Sequence, residues 1–328
     1  MSPRDRVWAV LQRRIPDRVP RFEIWIDGLL SELGEPDPTA VYPHLGQDCL
    51  LLPGGRLPGS NAWRSGIDEW GCRWRDGIYV GGIVRTHSDL ARLSPPVELA
   101  VQAFDPRQGE AARSRFPHHC HIFGTHIGPF TAAYMAMGLE EFFLRLADDP
   151  VFVQELLERR TDWCIAVYQQ ALALGAEVLV LGDDAASRHG PMISPEMWQR
   201  HVFPCHQRIV AALDAPVIWH SDGDIRPLLP MAVEAGFVGV HSLEPTAGID
   251  LAQVKRQFGA DLILIGNLDV EVLAEKNLAA VRAEVDRCLV QGAPGGGYMF
   301  ATSNSIFAGL NAPAVAEMFH YASTVGYY

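Results

Sequence analysis

The apolar run VIW at 217–219 ends in His220-Ser221-Asp222-Gly223-Asp224, which sets one imidazole and two carboxylates within five residues. Residues two apart on a strand point to the same side, so His220 and Asp222 can converge. Zinc accepts an imidazole nitrogen and carboxylate oxygens, and a catalytic zinc site uses three protein ligands and keeps one position open. Asp184, at the end of the neighbouring run AEVLVLGDD, is the expected third ligand. The same groups also fit metal-free proton transfer. There Asp183 or Asp184 would stabilise a cationic intermediate and His220 would carry a proton, because crowded carboxylates raise one another's pKa. Gly223 and Asp224 read as a turn and a helix cap, so the stretch serves as polar turn and reactive group at once.

Something must position these residues. Short Val/Ile/Leu-rich runs recur at 18–25, 48–54, 118–130, 176–184, 215–223, 239–245, 261–269 and 296–303, and helical patterns follow most of them. One such pattern is DGLLSELG, and another starts at the capping pair Ser194-Pro195. Strands alternating with helices imply a parallel sheet, and continuously apolar strands imply burial on both faces. Eight such units in 328 residues predict an α/β fold, a single (β/α)8 TIM barrel spanning 1–328. In that fold the reactive groups sit at the carboxyl ends of the strands. On this rule Asp183, Asp184, His220 and Glu244 are the candidate catalytic groups. His126, His241, Asn267, Ser303 and Asn304 are the candidate substrate-binding groups, and Asp184, His220 and Asp222 are the metal set. The irregular segment 55–117 alternates aromatic and polar residues around Asp76-Gly77, which predicts a β-hairpin insertion after the second strand, placed to cover the mouth. Its Trp63, Trp70 and Trp74 either stack on an aromatic ligand or pack beneath the hairpin.

The bulk composition excludes several classes. Net charge is −12, from 27 basic and 39 acidic side chains, which argues against a nucleic-acid surface. The amino terminus is charged and lacks an apolar signal core, and no apolar stretch reaches the roughly 18–20 residues needed to span a bilayer. The six cysteines are scattered without a C-x-x-C pair, the pattern of free thiols in a reducing cytosol, so a cytoplasmic protein is expected. The aromatic tail MFHYASTVGYY packs either on the barrel or on a second copy in a homodimer.

RDRVWAVLQRRIPDRVPRFEIW, GDDAASRHGPMISPEMWQRHVFP, VIWHSDGDIRPLLPMAVEAGFVGVHSLEP, FGADLILIGNLD and GGGYMFATSNSI run in this order through nearly the whole chain. Together they resemble the uroporphyrinogen decarboxylase superfamily. The resemblance implies a TIM barrel and one of two chemistries. The cofactor-free decarboxylase binds a tetrapyrrole with an arginine-rich segment, typically M-R-Q-A-G-R, whereas the matching FEIWIDGLLSELG at 22–34 has no arginine. The zinc-dependent methyltransferases carry His-x-Cys and a distant Cys, and here Asp222 and Ser303 stand in those places. A related branch acting on methoxylated aromatic compounds has the pattern Glu-x14-Glu-x20-His. Asp184, Gln199 and His220 are separated by 15 and 21 residues, which adds Gln199 as a further metal ligand. The resemblance thus implies a methyltransferase with zinc as cofactor and a small molecule and a corrinoid protein as partners. The alternatives are a metal-independent decarboxylase of a tetrapyrrole or similar acid, and a non-catalytic tetrapyrrole or corrinoid binder. On this reading Asp222 either replaces a thiolate or marks a site without metal.

Overall fold

Strands apolar on both faces must be covered on both faces, by helices outside and by one another inside. The computed structural model describes residues 1–52, 65–93, 95–101, 106–125 and 127–328. Its strands are β1 (Cys49–Leu51), β2 (Gly66–Ile67), β3 (Cys72–Arg75), β4 (Ile78–Gly82), β5 (Cys120–Thr125), β6 (Val178–Gly182), β7 (Ala186–Ser187), β8 (Gly190–Pro191), β9 (Val217–Ser221), β10 (Gly239–Ser242), β11 (Ile263–Leu268) and β12 (Tyr298–Thr302). The helices that bear on the argument are α1 (Pro3–Leu11), α2 (Val41–His44), α3 (His87–Ala91), α4 (Pro96–Val101), α5 (Pro106–Arg115), α6 (Pro129–Met137), α7 (Leu139–Asp148), α8 (Pro150–Ala173), α9 (Pro195–His201), α10 (Phe203–Ala211), α11 (Leu229–Ala235), α12 (Leu251–Phe258), α13 (Leu278–Gly292) and α14 (Ala312–Val325). Among the described residues no helix is long and apolar enough to cross a membrane.

Seven strands pair in parallel in the order β1-β5-β6-β9-β10-β11-β12. The extended segment 18–26 lies against both edges of this sheet. Phe22 donates to the Phe300 carbonyl at 2.8 Å and Phe300 to that of Pro20 at 2.8 Å, while Asp48 on the other side donates to that of Arg21 at 2.9 Å. The result is the predicted barrel. The fully buried Asp48 carboxylate anchors the closing segment, gripping the Arg18 guanidinium at 2.6 and 2.8 Å and the Arg21 amide at 2.9 Å.

Alternation along each strand divides the core into two layers. Val178, Val180, Ile218, Ile263, Ile265 and Met299 fill the lumen with Phe22 and Ile24, and Val7 and Val10 of α1 join them. Leu179, Leu181, Val217, Trp219 and Leu264 face outward to the helices. In the tail, α14 buries Met318, Phe319 and Ala322 against the barrel and Tyr327 bridges to Arg18, while Tyr327 and Tyr328 stay exposed.

Two local expectations need correction. DGLLSELG forms consecutive turns rather than a helix. Leu29 takes a φ of 61°, and a Cβ on Gly28 would sit 2.3 Å from the Ala308 nitrogen, so close backbone approach has replaced helical packing there. The segment between β1 and β5 also holds more than a hairpin. β2, β3 and β4 make a three-stranded antiparallel sheet, and α3, α4 and α5 follow it. Described contacts tie this sheet to the barrel flank. Trp70 is buried against Trp163 with Arg160 over its ring at 4.5 Å, and the Tyr79 hydroxyl donates to the Met135 carbonyl at 2.7 Å. Trp74 donates to Asp68 at 2.8 Å, so it and Trp70 are packing residues, while Trp63 lies outside the described residues.

Candidate functional site

The alternation that fills the lumen also aims the polar strand ends. His220 follows Ile218 and therefore continues the inward-facing row of β9. Asp183 follows Leu179 and Leu181 and therefore faces the helices. It is fully buried there. One oxygen accepts the Thr131 amide at 2.8 Å, and the other accepts the Phe130 amide at 3.2 Å and lies 2.8 Å from His206 Nε2. Asp183 thus pins the first turn of α6 and α10 to the end of β6, which replaces the catalytic role expected of it. Asp183→Asn removes one carboxylate oxygen from this knot and should cost about 2–4 kcal/mol. Thermal denaturation should show a melting temperature lower by roughly 4–8 °C, with the metal content of the folded fraction unchanged.

His220 and His241 are buried neighbours on β9 and β10, with their Nδ1 atoms 2.7 Å apart. His241 Nε2 lies 3.1 Å from the Thr302 carbonyl, which can only accept. His241 therefore carries its proton on Nε2 and offers the Nδ1 lone pair. Its burial lowers its pKa to about 4, in keeping with a neutral ring. His220 must then donate from Nδ1, and its neutral ring carries the lone pair on Nε2. That lone pair faces two carboxylates, 4.0 Å from Asp184 Oδ1 and 3.9 Å from Asp222 Oδ1. Trp25 packs edge-on against the His220 ring at 4.8 Å.

Both carboxylates are held by neutral donors. Asp222 accepts the Asn304 amide at 2.8 Å and lies 3.1 Å from the Ser242 hydroxyl, whose one proton goes to the Ser303 carbonyl, and Asp184 accepts the Asp222 backbone amide at 3.1 Å. Burial, the neighbouring Asp184 charge and Glu244 raise Asp222 to about 7. Burial, with Asp183 and Glu244 nearby, raises Asp184 to about 6. The turn beyond is built tightly. Gly223 takes a φ of 78°, and a Cβ there would meet Ala186 backbone at 2.6 Å. Glu244 accepts the Gly223 amide at 2.8 Å and the Thr246 hydroxyl, so it holds the turn that presents Asp222. Asp224 accepts the Arg226 amide at 3.2 Å and grips the Arg226 guanidinium, and the helix it precedes opens with a 3-10 turn.

The other expected site residues have different places. Asn304 is a positioning group for Asp222. Asn267 is buried, and its side-chain amide holds the Leu243 carbonyl at 2.8 Å, which commits its donor to the backbone rather than to a ligand. Ser303 is buried, and its carbonyl accepts from Ser242. His241 acts on His220 from beneath and is fully buried. Gln199 is exposed, because α9 turns Trp198 and His201 inward and the two residues between them, Gln199 and Arg200, outward, so it does not join the metal set. His126 lies outside the described residues. Ser242 and Glu23 went unnoticed in the sequence. The signal for Glu23 was an acid in the middle of the apolar run RFEIW.

Asp184, His220 and Asp222 offer one ligand atom each, all within 4.8 Å of one another. The edges of a tetrahedral zinc site with ~2.0–2.2 Å bonds are about 3.3–3.6 Å, so the two nitrogen–oxygen separations are long by only a few tenths of an ångström. A lone pair facing two carboxylates, each raised by its neighbours, is a geometry that a cation relieves, and the residues fit the metal.

Fold and site together define a (β/α)8 barrel with a histidine–carboxylate cluster at the carboxyl end of its strands. The uroporphyrinogen decarboxylase (URO-D) family model matches residues 75–325, and the chain belongs to that family. It is 27% identical over 181 residues to a methylated-thiol–coenzyme M methyltransferase of Methanosarcina mazei, covering 55% of this chain and 48% of the relative. The match thus spans about half of that relative's length. It is 25% identical over 284 residues to the methylcobamide:CoM methyltransferase MtaA of Methanosarcina barkeri, covering 80% and 81%. A solved structure of a methyltransferase from Methanosarcina mazei shares the fold, with a TM-score of 0.81 at 19% identity over 99% of both chains. Within the family, the two sequence relatives place the chain on the methyltransferase-like side.

Proposed function

We propose that this protein is a metal-dependent methyltransferase that passes a methyl group from a methylated small molecule to a corrinoid protein, with zinc held by Asp184, His220 and Asp222. The observation that carries the reading is His220 Nε2 set 4.0 and 3.9 Å from two carboxylates at the carboxyl end of the strands. When bound, zinc supplies Lewis acidity toward an oxygen or sulfur of the methylated substrate. The chain's own residues supply the rest. His241 keeps the His220 lone pair directed at the cluster, Asn304 holds the Asp222 carboxylate in place, and Glu244 secures the turn. A ligand set of one nitrogen and two oxygens is harder than one with thiolates, which favours a methyl ether oxygen, and so a methoxylated aromatic compound, as the donor. The corrinoid partner would approach the carboxyl end of the strands, where the methyl group is exposed to transfer.

Purified protein should hold about one zinc per chain by elemental analysis. With a Co(I) corrinoid protein, a panel of methoxylated aromatic compounds and methylated thiols should include a donor that methylates the corrinoid, read as its absorbance change. Coenzyme M, the acceptor in the relatives' names, belongs in the panel as a thiol acceptor. Absence of stoichiometric metal together with no methylation of Co(I) would remove the reading.

A further inference from the structure

Glu23 is fully buried in the segment that closes the barrel, where its carboxyl meets the amide and hydroxyl of Thr302 and lies within reach of the Asp27 charge. One oxygen accepts the Thr302 amide at 3.0 Å, and the other lies 2.8 Å from the Thr302 hydroxyl. That hydroxyl also contacts the Asn304 carbonyl. A carbonyl cannot donate, so the single hydroxyl proton goes to Asn304. The contact to Glu23 then needs a proton of its own, and the carboxyl is the group that can bring it. Burial raises Glu23 to about 8, which agrees with a neutral acid.

The other face of Thr302 bears on the site, because its carbonyl accepts from His241 Nε2. We propose that Glu23 works as a neutral carboxylic acid which, by gripping the amide and hydroxyl of Thr302, fixes the carbonyl that sets the tautomers of His241 and His220 and so turns the His220 Nε2 lone pair toward Asp184 and Asp222. Glu23 is a positioning residue, three hydrogen bonds removed from the lone pair. Its relevance to metal binding rests on the function proposed above, but the tautomer relay stands without it.

The test uses Glu23→Gln and Glu23→Leu in the full chain. Gln keeps one acceptor for the Thr302 amide and one donor for its hydroxyl, and Leu keeps neither. Histidine-selective 15N NMR of the metal-free proteins should show His220 protonated on Nδ1 and His241 on Nε2 in the parent and in Glu23→Gln, with mixed tautomers in Glu23→Leu. Zinc affinity, measured by competition with a chelator dye, should stay within about threefold of the parent in Glu23→Gln and fall about 10–100-fold in Glu23→Leu, the usual range for partners behind a metal ligand. A purely structural role would lower the melting temperature of Glu23→Leu and leave its tautomers as in the parent, which would overturn the inference. Equal loss of tautomer order in Glu23→Gln and Glu23→Leu would overturn it as well, by showing that a charged carboxylate is required. If the parent binds no zinc, the metal reading fails, and the NMR arm still decides the relay.

Discussion

His220→Ala is expected to abolish stoichiometric zinc and the methyl transfer that depends on it. His220 supplies the one nitrogen of the set, and neither Asp184 nor Asp222 can replace it from the other side of the cluster. Structural zinc sites hold their ion with about 10–16 kcal/mol over four ligands, so one ligand is worth roughly 3 kcal/mol and its loss about two to three orders of magnitude in affinity. Chelator competition measures this directly. His241→Phe should act in the same direction more weakly, by about 10–100-fold, because it removes the acceptor of the His220 proton and leaves the ligand present. Its tautomer signature would separate it from His220→Ala. Zinc bound as tightly to His220→Ala as to the parent would place the metal elsewhere.

Asp184→Asn should make the metal-free protein more stable and the metal-loaded protein less stable than the parent. Asp184 titrates at about 6 in the fold, against 3.8 ordinarily. The folded state therefore holds its proton over a pH interval in which the unfolded chain has lost it. Stability is fully present below the ordinary value and declines as pH rises to about 6, so above that point the ionised carboxylate is a standing cost. With 37% of its side chain exposed, solvent screens much of that cost, and about 1–2 kcal/mol is expected near pH 8. Asn keeps the acceptor for the Asp222 amide and offers an N–H toward the cluster. Metal-free Asp184→Asn should therefore melt about 2–4 °C above the parent at that pH, with the difference shrinking toward pH 4. Zinc at about a hundredfold excess over its dissociation constant adds about 2.7 kcal/mol to the parent alone and reverses the order. In the parent, zinc binding should tighten as pH rises from about 5 to 8, because Asp184 and Asp222 must release protons to bind. A parent that melts above Asp184→Asn without metal, at every pH, would rule out the carboxylate cost.

The sequence by itself determined the barrel and the convergence of Asp184, His220 and Asp222. The run AEVLVLGDD is apolar through all of β6 and DLILIGNLD through β11 as far as Gly266, which fits a doubly covered parallel sheet, and the period of two put His220 and Asp222 on one side. The same period places Asp183 with Leu181 rather than with Asp184, yet a pair of adjacent aspartates hides which one turns inward. Gln199 matched by spacing along the chain, but a helix turns by about 100° per residue and carried it to the surface. Only the tertiary structure decided the proton positions. The His220 lone pair depends on His241, on the Thr302 carbonyl and behind that on Glu23, which come from β10, β12 and the closing segment. Hydrogen bonds between residues tens to hundreds of positions apart leave no periodic trace, because local spacing records the direction of a side chain and not the identity of its partner.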